Sequence, residues 1–200
     1  MKISSWPINR WPMNGGAFAQ RGQNLDLPGT QARACPELVE ETPAQHGTFR
    51  MDMTWATPRI AVGGGIWTAE NMAEVAWAGV THIIDMQIEF DDTPLAAAHG
   101  IKVLWNPTDD DFLPKPAEMF QRGVDFAHNA LNEPGGKLFI HCAAGIHRAP
   151  MMTLAILCSM NWEIKDAMRL IEGKRPVVDF AEVYVRSVEK FLEQKTKAVR

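Results

Sequence analysis

The sequence predicts an α/β domain, a mainly parallel central sheet of about four or five strands flanked by helices on both faces. Two observations carry this expectation. Four short runs rich in β-branched and aromatic residues, RIAVG (59–63), THIIDM (81–86), IKVLW (101–105) and KLFIH (137–141), read as buried strands. Helical patterns lie between them, and strands alternating with helices imply parallel pairing with helices packed on the sheet.

Residues 1–57 sustain neither a period of 2 nor one of 3.6, and they carry five prolines and five glycines. They are expected to form an ordered N-terminal extension of unknown role, with Trp6, Trp11, Phe18 and Trp55 as its anchors, because aromatic rings bury the most area per residue. Residues 58–200 form the expected catalytic domain. After the strand at 59–63, a helix over 69–79 starts behind Thr68, and the strand at 81–86 follows. The short helix over 94–99 has Thr93 as expected N-cap, Pro94 at its first position and Gly100 as its stop. The strand at 101–105 leads to a helix over 116–132, which places Met119, Phe120, Val124, Ala127 and Leu131 on one stripe. Beyond the strand at 137–141, helices are expected at about 148–160, 163–173 and 179–196.

Composition narrows the function. A chain of 200 residues that is 46% hydrophobic and 22% charged has ordinary globular composition, enough for a sizeable core. A formal charge of −4, with no block of lysine and arginine to neutralise phosphates, argues against a nucleic-acid partner. Cysteines at 35, 142 and 158 are too sparse for a disulfide framework and suit a reducing compartment. Pro7, Arg10 and Pro12 interrupt the N-terminus, so no signal-peptide core is expected, and no run of apolar residues is long enough to span a membrane. The expected location is cytoplasmic.

The stretch HCAAGIHRAP (141–150) carries the chemistry. Strand 137–141 ends at His141, and an apolar helix begins around Arg148, so residues 142–147 lie between a strand end and a helix start. Ligands of open α/β sheets bind there, where successive N–H groups converge and the helix dipole adds about half a positive charge. Phosphate or another oxyanion is the natural guest of Ala143, Ala144, Gly145, Ile146 and His147, with Gly145 supplying a left-handed turn. The same field favours a thiolate at Cys142, a nucleophile aimed at phosphorus. Arg148 has a planar fork that holds two phosphate oxygens at once. The competing zinc set, His141, Cys142 and His147, is poor, because adjacent ligands chelate badly and no spaced second pair exists; neither metal nor other cofactor is expected.

At these residues the chain resembles the cysteine-dependent protein tyrosine phosphatase superfamily, specifically the small dual-specificity phosphatases. Their pattern is HC-x-x-G-x-x-R followed by Ser or Thr; here HCAAGIHR is followed by Ala149. AWAGVTHIIDM and RLIEGKRP extend the resemblance over residues 58 to 195, leaving out 1–57. It implies a phosphomonoester hydrolase acting on phosphorylated protein through a phosphocysteine. A general-acid aspartate is expected about 30 residues before the cysteine, where WNPTDDDFLP offers Asp109, Asp110 and Asp111. The family's Pro-x-x-Asp pattern selects Asp110, three residues after Pro107. The resemblance also implies that His141 orients or tunes the cysteine, and it leaves His147 at the rim without assigned chemistry. Ala149 lacks the hydroxyl that normally assists phosphocysteine breakdown. Plant glucan phosphatases resemble the loop too, which keeps phosphoglucan as an alternative substrate; phosphoinositide is disfavoured because the loop adds no lysine, and a non-catalytic phosphate-binding module is disfavoured by the intact Cys142 and Arg148.

Overall fold

Strands β1 (Met53–Thr57), β2 (Ile60–Gly63), β3 (His82–Asp85), β4 (Lys102–Trp105) and β5 (Leu138–His141) form one sheet in the order β1-β2-β5-β3-β4. This is seen in the computed structural model, which describes residues 51–198. β2, β5, β3 and β4 are mutually parallel, while β1 pairs antiparallel with β2. The α/β class and the parallel core match the sequence reading. The expected boundary at 57/58 is corrected, because it cuts between β1 and β2. Met53–Thr57 belongs to the sheet, and a five-residue strand is too short to show a period. Trp55 therefore sits in the sheet, with the Lys137 Nζ 5.3 Å from its ring centroid; Trp6, Trp11 and Phe18 lie outside the described residues.

The helices are α1 (Ala69–Trp77), α2 (Thr93–Ala97), α3 (Ala117–Asn132), α4 (Arg148–Ser159), α5 (Ile164–Lys174) and α6 (Glu182–Ala198). Thr68 caps α1 as expected, its hydroxyl accepting from Asn71 N–H at 3.2 Å. The cap of α2 is corrected: Thr93 lies inside the helix and Asp92 occupies the N-cap position, its buried carboxylate turned to His141 rather than to the helix. The sixth helix begins at Glu182, not at 179, and Asp179 precedes it with its N–H bonded to the Ile146 carbonyl.

Alternation along the strands sorts the core into two layers. Ile60, Val62, Ile84, Leu138 and Ile140 face one side, where they meet Phe120, Val124, Leu154 and Tyr184. Ala61, Ile83 and Phe139 face the other, against Met72, Val75 and Ala96. Ten consecutive residues of α4, from Arg148 to Leu157, are buried, so this helix is enclosed on all sides. Each large side chain so buried contributes about 1.5–3 kcal/mol. The consequence is a rigid seat for the loop between β5 and α4.

Candidate active site

The loop over residues 142–148 is folded by its carbonyls. Ala143 O accepts from Gly65 N–H at 3.0 Å, and Ile146 O accepts from Asp179 N–H at 3.1 Å. Arg175 donates from Nη2 to Ala144 O at 3.2 Å and from Nε to Gly145 O at 2.9 Å. In a trans peptide the N–H points opposite to the carbonyl before it. With four successive carbonyls tied outward, the N–H groups of Ala144, Gly145, Ile146 and His147 are turned inward. Gly145 N–H reaches Cys142 Sγ at 3.3 Å, consistent with that direction. Gly145 takes φ +64°, and a Cβ there would lie 2.5 Å from the Gly63 carbonyl, so the left-handed turn and the close approach both require glycine. Arg175 is itself held by two 2.6 Å hydrogen bonds to Asp52.

Cys142 is 1% exposed and packs into the core layer that holds α4. Arg148, at the first position of α4, donates to Glu89 through Nη1 at 3.0 Å and Nη2 at 2.8 Å, and through Nη1 to Thr108 O at 3.2 Å. Burial opposes its charge, but the Glu89 hydrogen bonds and the nearby Cys142 and Asp110 outweigh that and hold the guanidinium above its ordinary value. Its Nε is buried without a hydrogen-bond partner, 3.9 Å from Asp110 Oδ2. A donor left open beside a ring of inward N–H groups is suited to an oxyanion.

The acidic triplet separates in space. Asp110 Oδ2 lies 3.0 Å from His147 Nδ1, and its Oδ1 accepts from the Tyr184 hydroxyl at 3.0 Å. That hydroxyl, on the chain's single tyrosine, also accepts from Phe112 N–H at 2.9 Å. Burial, with Asp110 and Asp111 nearby, pushes the phenol up to about 12, so it stays a donor. Asp111 instead pairs with Lys115, and Asp109, exposed like Asp110, has no bond to the loop among the described residues. The structure therefore brings Asp110, of the three, to the cysteine loop. His147 lies at the rim as expected, and it also links Asp110 to Asp179, whose Oδ2 is 3.5 Å from Nε2.

His141 faces away from the thiol. Its ring stacks on Phe139 with centroids 5.2 Å apart, and no hydrogen bond joins it to Sγ. Its Nε2 is 2.7 Å from Asp92 Oδ2 and 3.8 Å from Asp85 Oδ1. The zinc set offered by the sequence is thus not assembled, since His141 turns to Asp92 and His147 to Asp110. Asp85, Asp92 and His141 place one ligand atom each within 4.8 Å of one another, all buried. The 2.7 Å contact is that of a histidine paired with a carboxylate. Ala149 is buried, and the hydroxyl of Thr153 binds its carbonyl at 2.8 Å, so this hydroxyl does not replace the missing one at 149.

Burial pushes the Asp85 carboxyl up to about 6, against the pull of His141. A group whose folded value is raised contributes stability that is full below its unfolded value and lost as pH rises through the folded one. Wild type should therefore lose stability between about pH 4 and 6, by roughly 3 kcal/mol at most, through this residue. Asp85→Asn should flatten that segment of the profile, read from urea midpoints across the range. Superimposable profiles for the two proteins would show that Asp85 ionises freely in the fold.

Comparison with known proteins identifies the family and the fold. Residues 66–194 match the family described as dual specificity phosphatase, catalytic domain. The chain belongs to this family. It is 35% identical over 113 residues to dual specificity protein phosphatase 26 of Homo sapiens, covering 55% of this chain and 54% of that protein. It is 30% identical over 99 residues to protein tyrosine phosphatase type IVA 3 of Mus musculus, covering 48% and 56%. The chain spans about half the length of the curated relatives it matches. The fold is shared with solved structures, among them PTPMT1 in complex with PI(5)P (TM-score 0.67, 18% identity, 74% of this chain and 99% of that one). DUSP15 has a TM-score of 0.60 at 23% identity, over 70% of this chain and 86% of that one. Among the described residues, no helix is long and apolar enough to cross a membrane.

Four residues of this candidate site were missed in the sequence: Glu89, Arg175, Tyr184 and Asp52. Glu89 had a readable signal, since it follows the β3 run at the same carboxyl edge as Cys142. Arg175 lies in RLIEGKRP, a stretch quoted only for its resemblance. Asp52 and Tyr184 join the site across 123 and 74 residues of chain, and no local pattern marks them.

Proposed function

We propose that the chain is a phosphomonoesterase acting on phosphoprotein, with Cys142 as nucleophile, Arg148 as clamp and Asp110 as general acid and then base. One observation supports this reading above the others: the loop that cradles an oxyanion meets, at Arg148 and His147, the carboxylate selected as the acid. The Cys142 sulfur attacks phosphorus in line, forming S–P as the P–O bond to the leaving group breaks. Inward N–H groups and Arg148 hold the three equatorial oxygens, and Asp110 gives its proton to the leaving oxygen. Asp110 then takes a proton from water, which attacks phosphorus and releases sulfur as thiolate. Without a hydroxyl at 149, negative charge on the departing sulfur is met by Gly145 N–H and the N-terminus of α4. None of these steps calls for a cofactor. The cytoplasm is the proposed location.

Turnover of an aryl phosphate should rise with pH as the thiolate forms and fall as the acid loses its proton. Asp110→Asn should lower kcat by about two to four powers of ten and leave a plateau where wild type declines. A preserved alkaline decline in this variant, and its loss in Asp109→Asn or Asp111→Asn, would move the role to a neighbour.

A further inference from the structure

Segments 63–67, 87–92, 108–113 and 175–179 contact the cysteine loop through Gly65, Glu89, Thr108 with Asp110, and Arg175 with Asp179. Their composition is one-sided. They contain a single cation, Arg175, which is buried and already bound to Asp52 and two carbonyls. Against it stand Glu89, Asp91, Asp92, Asp109, Asp110, Asp111 and Asp179, of which Asp92 is buried against His141 and Glu89 is bound to Arg148. Lys115 reaches this rim from α3's approach, but it is paired with Asp111. Between the acids, apolar side chains stand exposed: Ile88 at 49%, Phe112 at 52% and Val177 at 58%. Phe112 lies edge-on to His147, with ring centroids 5.1 Å apart, so this apolar surface borders the loop itself.

The positive field that binds phosphate is thus deep, carried by the inward N–H groups and the buried Arg148 with its open Nε, whereas the mouth around it is negative and greasy. One phosphate is drawn to the bottom. A second phosphate or a carboxylate a few ångströms away on the substrate would meet carboxylates with no free cation among these segments to offset them. Guanidinium or ammonium groups beside the phosphate would meet partners, and apolar neighbours would cover Ile88, Phe112 and Val177.

We infer, resting on the proposed phosphatase reading, that the mouth selects single phosphomonoesters on peptides flanked by basic and apolar residues. It discriminates against flanks carrying carboxylates or a second phosphate.

The test compares phosphotyrosine peptides identical except for flanks of Arg and Leu, of Asp and Glu, or bearing a second phosphate, with a small aryl phosphate as reference and phosphatidylcholine vesicles containing a phosphoinositide as a further arm. The basic-apolar peptide should exceed both acidic ones in kcat/KM by about tenfold at low salt, with the gap shrinking as salt rises. Asp91→Lys with Val177→Lys, neither in the catalytic machinery, should narrow the gap while aryl phosphate turnover is unchanged. Equal rates for the peptides, a preference for the acidic flanks, or faster release from the vesicles would overturn the inference. The same ranking is read as Kd on Cys142→Ser. Preference in binding without aryl phosphate hydrolysis by wild type would sink the catalytic reading and keep the charge selection, while hydrolysis without preference would do the reverse.

Discussion

Cys142→Ser should reduce aryl phosphate turnover by at least about four powers of ten while leaving oxyanion binding nearly intact. The two effects separate because different atoms carry them. Attack needs an ionised nucleophile, and an alcohol ionises far less readily than a thiol. Binding needs the N–H groups turned inward by Gly65, Arg175 and Asp179, together with Arg148, and none of these depends on sulfur. The substitution is close to isosteric in a site that is 1% exposed, so the cradle should survive it. Turnover is read with an aryl phosphate, and binding as a thermal shift with phosphate or vanadate. Residual activity near the wild-type level would remove Cys142 from the nucleophile role. Loss of oxyanion binding would show that the sulfur helps to shape the loop.

The parts of this site legible in sequence are those that local chemistry dictates. A strand of buried residues followed by Cys, a glycine and an arginine opening an apolar helix leaves few conformations for residues 142–148, and the fold places them at the carboxyl edge of the sheet as expected. Three of the four parallel strands, β2, β3 and β5, were legible for the same reason, since Ile60, Ile83, Ile84 and Ile140 are buried; β4, expected to be buried, is instead an edge strand with Lys102 and Trp105 exposed. β1 was not legible, because it is an edge strand of five residues, mostly half-buried, whose identity depends on β2 beside it. Nor was the orientation of His141 readable. Sequence places it one residue before the thiol, but alternation along β5 turns its ring to the opposite face, where Asp85 and Asp92 wait. Its proposed influence on Cys142 must therefore pass through the strand that carries both. Among Asp109, Asp110 and Asp111 the resemblance already pointed to Asp110, but its partners Tyr184 and His147 meet it through tertiary contacts that no local pattern marks.

Arg148→Lys should lower kcat by about two to three powers of ten, with a much smaller change in KM. Lysine keeps the charge, so the ground-state attraction for a phosphate dianion largely persists. It lacks the fork. In wild type the guanidinium donates to both Glu89 oxygens through Nη1 and Nη2 and to Thr108 O, while Nε has no hydrogen-bond partner. That three-way engagement fixes the plane of the group before a substrate arrives, so its donors lie where equatorial oxygens spread in the transition state. An ammonium on a flexible stem must divide three hydrogens among Glu89, Thr108 and the phosphate, and nothing fixes its direction. The loss should therefore fall on the transition state rather than on binding, which is the signature of lowered kcat at nearly constant KM. Glu89→Gln is the companion variant: it retains one acceptor for the fork but gives up the charge, and should show a smaller loss of the same kind. Near-normal kcat for Arg148→Lys would mean that the inward N–H groups stabilise the transition state without help. A large rise in KM at constant kcat would assign Arg148 to substrate capture alone.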